Sequence, residues 1–162
     1  MKRILALLLV LSAVLALAAC SKSPAVTKDE GTTLVYGSGD YTRINPAMDE
    51  HGEINVLLFS GLTAHNGSNE VVAGLAESWE YDESACTYTF HLRDGVKWHD
   101  GEPFSSEDVK WTFDKIRTEG YQSNSFKQLS EITCPDENTA VFHLSEPNSG
   151  IVATIGWLGT FI

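Results

Sequence analysis

Two predicted β-hairpins constrain the fold of this sequence more than any other feature. In Thr87–Leu92, apolar and polar residues alternate strictly, which is the pattern of a strand with one buried face. Its predicted partner is Trp79–Asp82, and a second hairpin is predicted to pair Glu131–Cys134 with Thr139–Leu144. The apolar residues of the alternating strand are Tyr88, Phe90 and Leu92.

A helix is predicted between the two hairpins. Its first turn follows Ser105, whose side chain can cap the backbone amide of Asp108. Phe104 and Val109 are spaced to form a hydrophobic staple across this cap. One apolar stripe then runs along the helix, formed by Val109, Phe113 and Ile116.

Three shorter elements are predicted before the first hairpin. We expect a strand at Thr32–Ser38, a buried helix at Glu53–Ser60 that is capped by Gly61, and a connecting segment at Val71–Glu77. Strands and helices in this irregular order indicate an α/β fold of the mixed α+β kind.

The N-terminus is predicted to be an export signal. Lys2 and Arg3 precede an apolar run, Ile4–Ala19, that is shorter than the ~20 residues a membrane-spanning helix needs. The run ends in Leu-Ala-Ala followed by Cys20, which resembles the lipobox of bacterial lipoproteins. By that resemblance, residues 1–19 are a lipoprotein signal peptide, Cys20 is lipidated, and residues 20–31 form a polar tether. The alternative is an ordinary signal peptide that is cleaved near Ala19.

The charge of the chain limits its partners. The formal net charge is −11, so the sequence has no overall basic character with which to bind nucleic acid. Cys86 and Cys134 lack the spacing of a metal or redox motif, and the choice between a disulfide and two free thiols stays open. The apolar end, Ile151–Ile162, is expected to lack its packing partners, as in a truncated sequence.

The sequence from Gly74 to Ile116 carries a family resemblance. It contains Gly-Leu-Ala-Glu-Ser-Trp, then Thr-Phe-His-Leu-Arg-Asp-Gly-Val-Lys-Trp-His-Asp-Gly, then Phe-Ser-Ser-Glu-Asp-Val-Lys-Trp-Thr-Phe. This segment resembles the signature of the family 5 extracellular solute-binding proteins, the peptide and nickel receptors of ABC importers. The resemblance implies a two-lobed, periplasmic-binding-protein-like type II fold, of which residues 32–162 would be the N-terminal part.

The resemblance also implies a function without catalysis. The protein would be a monomer that captures a peptide, or nickel or a nickel chelate, outside the cell membrane and delivers it to an ABC permease. No cofactor is expected, and the hydrolase, metalloprotease and nucleotide-binding motifs are missing from the sequence. The alternative is a surface lipoprotein on the same fold that senses its ligand without transporting it.

The first candidate ligand site is the cluster Asp49, Glu50 and His51. Related nickel receptors place ligand-contacting residues in this loop, so the resemblance makes His51 a possible nickel ligand. Carboxylate and imidazole groups can also hold a cationic group. The alternative is a solvated loop whose acidic residues cap the following helix.

Two further candidate sites lie later in the sequence. The resemblance places one after the capped helix, at Tyr121, Gln122, Asn124 and Ser125, where nickel receptors can carry arginine and tryptophan. This chain departs from that pattern, which argues against an anionic metal chelate as the ligand. The other candidate pairs Trp157 with Thr160, in a stretch flanked by glycines. Its indole is predicted to line a pocket or, alternatively, to pack in the core.

Overall fold

The computed structural model describes residues 34–37, 39, 44–48, 54–157, 160 and 162. In a first unit, Met1–Gly37, the described residues Leu34–Gly37 have no regular secondary structure. The strand predicted there is therefore wrong for these residues. Leu34 and Val35 are exposed, and no strand among the described residues pairs with them.

The second unit, Ser38–Ile162, contains the helices and strands. In chain order the elements are α1 (Asn55–Leu58), β1 (Thr63–His65), β2 (Val71–Ala73), β3 (Ala76–Asp82), β4 (Thr87–Leu92), α2 (Ser106–Glu119), a 3-10 helix (Ser123–Phe126), β5 (Leu129–Asp136), β6 (Thr139–Leu144) and α3 (Ile151–Ile155). Two antiparallel sheets are present among the described residues, one of two strands (β1-β2) and one of four strands in the order β3-β4-β6-β5.

The core lies on one face of the four-stranded sheet. Along both central strands, β4 and β6, buried residues alternate with half-buried ones, as the sequence pattern predicts. Phe142 on β6 makes edge-to-face contacts with Phe90 on β4 and with Phe113 on α2, each at 5.0 Å between ring centroids. These rings join the sheet to the helix that covers it, and both predicted hairpins are confirmed.

Helix α2 begins and packs as its sequence predicts. Ser105 and Asp108 form a capping box, in which the Ser105 backbone N–H donates to Asp108 Oδ2 at 2.8 Å. The stripe of Val109, Phe113 and Ile116 is buried. On the exposed side, burial alone would raise the pKa of the Asp114 carboxyl, but hydrogen bonds from Lys110 and Arg117 outweigh it and lower that pKa.

Two boundaries around the hairpins differ from the prediction. The predicted connecting segment contains β2 and the first two residues of β3. The strand β2 has three residues, which is too short to show a clear alternation. The second hairpin is longer than predicted, since β5 continues through Pro135 to Asp136. Proline lacks a backbone N–H, but β5 is an edge strand and its register is irregular between Thr133 and Asp136, so no central ladder is interrupted.

The predicted buried helix before Gly61 is wrong in both extent and burial. Helix α1 is a single turn, and it ends at Phe59, which has an extended backbone, rather than at a glycine cap. Val56 and Leu57 are about half exposed, and Asn55 is the buried residue of the turn. The apolar residues at helical spacing therefore do not form a buried face, because in this single turn their side chains are exposed to solvent.

The apolar C-terminal stretch is packed rather than unpartnered at four of its residues. Ile151, Val152, Ile155 and Ile162 are at most 7% exposed and belong to the core cluster. The Ile162 backbone N–H donates to the carbonyl of Ser60 at 3.0 Å. The expectation that this stretch lacks packing partners is wrong for these residues.

The two described cysteines are free thiols on opposite sides of β6. Cys86 immediately precedes β4, whereas Cys134 lies on β5, and β6 separates these strands. Two strand spacings are about 9–10 Å, beyond the roughly 7 Å between Cα atoms that a disulfide can bridge. Cys134 donates its thiol to the carbonyl of Ser106 at 3.2 Å, and burial raises the pKa of that thiol. The sheet therefore keeps the two thiols apart.

Candidate functional site

The segment after α2 forms a compact turn at the first described candidate site. Its 3-10 helix is anchored by Phe126, which is buried and contacts Phe113 at 5.5 Å between centroids. The Ser125 hydroxyl donates to Gln122 Oε1 at 3.1 Å. Asn124 and Ser125 are exposed, whereas Tyr121 and Gln122 are half-buried. The turn therefore presents small polar groups to solvent from a rigid base.

This turn lies against the segment 44–48. The Tyr121 backbone N–H donates to the carbonyl of Ala47 at 3.2 Å. Residues 44–48 also form one wall of a groove of about 490 Å³, which we call the Pro46 groove. Its other lining residues are Phe59, Trp98, Trp111, Thr112, Lys115, Glu119 and Ile162. Asp49, Glu50 and His51, which follow this segment in the sequence, lie outside the described residues.

The second described candidate, Trp157, is stacked on a histidine that the sequence analysis did not single out. The indole and the imidazole of His65 have centroids 4.4 Å apart and planes tilted by 30°. His65 ends β1, and its Nε2 lies 2.9 Å from the carbonyl of Ala153, to which an Nε2–H donates. Trp157 remains 51% exposed, so one side of the indole is fixed by the stack on His65 and the other side is accessible to solvent.

The strand β1 is joined to α3 at two points. In addition to the His65 contact, the Thr63 hydroxyl donates to the carbonyl of Val152 at 2.8 Å. Gly156 allows this close approach: a Cβ there would lie 3.0 Å from His65 Cδ2 and 3.1 Å from Thr63 Oγ1. The position of the indole therefore depends on β1 as much as on its own segment.

Thr160 is buried, whereas Trp157 is exposed to solvent. The Thr160 side chain is fully buried, and its hydroxyl lies 2.6 Å from the carbonyls of both Ile155 and Trp157. These contacts close the C-terminal end of α3. In this structure, the Thr160 side chain thus contacts the backbone of the protein itself. A contact between Thr160 and a ligand stays a prediction.

Trp157 and His65 line a second groove, of about 570 Å³, which we call the Trp157 groove. Its walls are mostly apolar, and His65 is its one titratable lining residue among the described residues. Phe59 lines both grooves. The remaining lining residues are Val56, Ser60, Gly61, Ala64, Gly74, Leu75 and Gly156.

The described residues contain no group of three His, Cys, Asp or Glu side chains that could hold a metal ion. His143 Nε2 lies 3.0 Å from the hydroxyl of Thr133, and His91 Nε2 lies 4.0 Å from a carboxylate oxygen of Glu80. These histidines contact neighbours on the sheet. The chemistry of the Trp157 groove is therefore that of apolar and backbone contacts, with His65 as a polar addition, whereas the Pro46 groove also has Lys115 and Glu119 in its lining.

His65 could not be identified from the sequence. It precedes the Asn66-Gly67 turn, which predicts a loop-edge position and nothing about a ligand. Its hydrogen-bond partner, Ala153, is 88 residues away in the sequence. Only the tertiary contact between β1 and α3 brings this ring to Trp157.

A comparison with protein families assigns the chain. Residues 70–161 match the model described as bacterial extracellular solute-binding proteins, family 5, middle region. The match spans more than half of the sequence. The chain belongs to this family. Its members are substrate-binding transport proteins, and the resemblance found in Gly74–Ile116 is confirmed.

One relative within this family is the dipeptide-binding protein of Escherichia coli (strain K12). It is 34% identical in an alignment of 152 residues, and the match covers 78% of this chain and 28% of the relative. The family 5 chain described here therefore spans little more than a quarter of the length of that relative.

Two solved structures extend the comparison. NikZ of Campylobacter jejuni, in complex with Ni(L-His), has a TM-score of 0.68 and 28% identity, covering 73% of this chain and 25% of NikZ. AgaA of A. tumefacien R10, in complex with agropinic acid, has a TM-score of 0.64 and 29% identity, covering 67% of this chain and 23% of AgaA. The predicted fold class, the mixed α and β fold of periplasmic binding proteins, is confirmed.

The part of this family 5 protein that the structure describes has no helix with the length and apolar character needed to cross a bilayer. Cys20 and the predicted signal peptide and tether lie outside the described residues.

Proposed function

We propose that the protein is the substrate-binding component of an ABC importer and that it captures peptides outside the cell membrane. The observation that carries this proposal is the 34% identity with the E. coli dipeptide-binding protein over 152 residues. The mostly apolar Trp157 groove suits the apolar parts of a peptide, and exposed backbone groups along a groove can hydrogen-bond its amides.

The proposed mechanism is ligand capture without catalysis. In a two-lobed protein, a ligand that contacts both lobes stabilises their closed arrangement, and the closed arrangement docks on the permease. This chain would supply part of one wall of the cleft, and the ATPase subunits of the importer would supply the energy. The contacts proposed from this chain are Asp49, Glu50, His51, Tyr121, Gln122, Asn124, Ser125, Trp157 and Thr160.

A nickel chelate is the second candidate ligand. It is favoured by the structural similarity to NikZ, which was solved with Ni(L-His), and by the sequence cluster Asp49-Glu50-His51. Carboxylate and imidazole groups are ordinary ligands of such metals. Against it, the described residues hold no three-residue metal-binding group, and the turn at 121–125 carries neither arginine nor tryptophan.

Calorimetric titration of the complete mature protein separates the two ligands. We expect the dipeptide Ala-Phe to bind with a saturable heat, and Ni²⁺ with excess L-histidine to give no heat above its dilution control. Free alanine and phenylalanine are the matched controls, because they carry the same side chains without a peptide bond. Saturable binding of the nickel mixture alone would refute the peptide assignment, and turnover of the dipeptide would refute a role without catalysis.

Lipid anchoring is proposed through Cys20. The apolar run followed by Leu-Ala-Ala-Cys supports cleavage before Cys20 and transfer of a diacylglyceryl group to its thiol. We expect mass spectrometry of the mature N-terminal peptide to find this lipid, and Cys20→Ser to abolish both the lipid and retention in the membrane fraction. Cys86→Ser, at a thiol far from this motif in the sequence, should change neither. An unmodified Cys20 in the membrane fraction would contradict the proposal.

A further inference from the structure

The Trp157 groove contains an exposed indole held on an imidazole. Trp157 is 51% exposed, although a tryptophan of this size stabilises a fold most when it is buried. One side of the ring lies on His65, with the centroids 4.4 Å apart. Solvent-exposed indoles that are fixed on one side offer a rigid apolar surface at low cost in conformational entropy.

His65 is held in place by more than one contact. Its Nε2–H donates to the carbonyl of Ala153 at 2.9 Å, while its Nδ1 is buried and has no hydrogen-bond partner in the described part of the chain. A buried acceptor without a donor is unfavourable, so the polar contacts alone do not account for a histidine at this position. The contact that does use the ring is the stack on Trp157.

The surrounding backbone is adapted to this stack. At Gly156, directly before Trp157, a Cβ would lie 3.0 Å from His65 Cδ2, so a larger residue would displace the imidazole. Apart from His65, the elements that meet at the ring, β1, β2 and α3, contain no charged or titratable residue. The stack is therefore set by ring geometry rather than by an ion pair.

We propose that His65 is a positioning residue, which orients Trp157 so that its free side contacts an apolar side chain of the bound peptide. This inference rests on the proposed function, in which Trp157 is a ligand contact. His65 influences peptide binding only through the indole of Trp157, and it does so with its imidazole ring.

Variants of the complete mature protein separate the ring from the hydrogen bond. His65→Gln retains an N–H donor for the Ala153 carbonyl and removes the ring, whereas His65→Phe retains a ring and removes the donor. We expect His65→Gln to weaken binding of the dipeptide Ala-Phe about three- to tenfold, the effect of losing one aromatic pair. His65→Phe should recover most of that loss. His91→Gln, on the four-stranded sheet, should bind as the wild type does.

A double-mutant cycle tests whether His65 acts through Trp157. If it does, His65→Gln should have little further effect on affinity in a Trp157→Ala background. Additive effects, wild-type affinity of His65→Gln, or equal losses in His65→Gln and His65→Phe would each overturn the proposal.

Near-ultraviolet circular dichroism gives a readout that needs no ligand. The difference between the wild type and Trp157→Phe isolates the signal of this indole from that of the other tryptophans. We expect His65→Gln to remove that signal and His65→Phe to retain it. If the wild-type protein binds no peptide, the proposed function fails, and an unchanged signal in His65→Gln would separately overturn the positioning role.

Discussion

Phe142→Ala should lower the free energy of unfolding by about 3–5 kcal/mol, the usual effect of removing a buried aromatic ring. Phe142 is fully buried, and its ring meets Phe90 and Phe113 at 5.0 Å each. The substitution therefore removes the contact between the sheet and α2 that Phe142 makes with Phe113, together with its contact with Phe90 on the neighbouring strand, and it leaves a cavity. Urea denaturation of the complete protein, followed by circular dichroism, measures the change.

Val141→Ala is the matched control on the same strand. Val141 precedes Phe142 on β6, so its side chain points to the opposite face of the sheet and is half-buried. We expect it to cost about 1 kcal/mol or less. Equal losses for the two variants would show that the face assigned to the core is wrong.

The elements that the sequence predicted correctly are those with local signals. The alternation in Thr87–Leu92 and the capping pair Ser105 and Asp108 each lie within a few residues, so they can be read without tertiary information. These two signals correspond to the two main layers of the fold, because the capped helix covers the alternating strands. The three-residue strands β1 and β2 were missed because so short a segment cannot show a period.

The candidate site was harder to predict because its residues are far apart in the sequence. The sequence predicted that Trp157 lines a pocket or packs in the core, but its stacking partner, His65, is bound to a carbonyl 88 residues away. The turn at 121–125 follows α2 in the sequence, yet its contact with Ala47 depends on the folded chain. Sequence patterns thus predicted the layers, whereas the side chains that line the grooves follow from how those layers meet.

Gly74→Ala should destabilise the protein by at least about 3 kcal/mol, at the upper end of the cost of overpacking. A Cβ at Gly74 would lie 2.9 Å from the Leu62 carbonyl oxygen and would overlap the Gly61 carbonyl oxygen. Both neighbours are backbone atoms, which cannot move aside as the end of a side chain can. The Gly74 N–H also donates to the Leu62 carbonyl at 3.1 Å, so relief of the clash breaks that hydrogen bond.

Gly67→Ala is the control for Gly74→Ala, because a Cβ at Gly67 would meet no atom within 4 Å. We expect it to change the free energy of unfolding by no more than about 0.5 kcal/mol. Gly61 and Gly74 both line the Trp157 groove, so Gly74→Ala should also displace β1 and His65. The variant is therefore expected to lose the circular dichroism signal of Trp157 below its unfolding transition. Retention of that signal together with wild-type stability would mean that the backbones of 61–62 and 74 do not approach as closely as the structure places them.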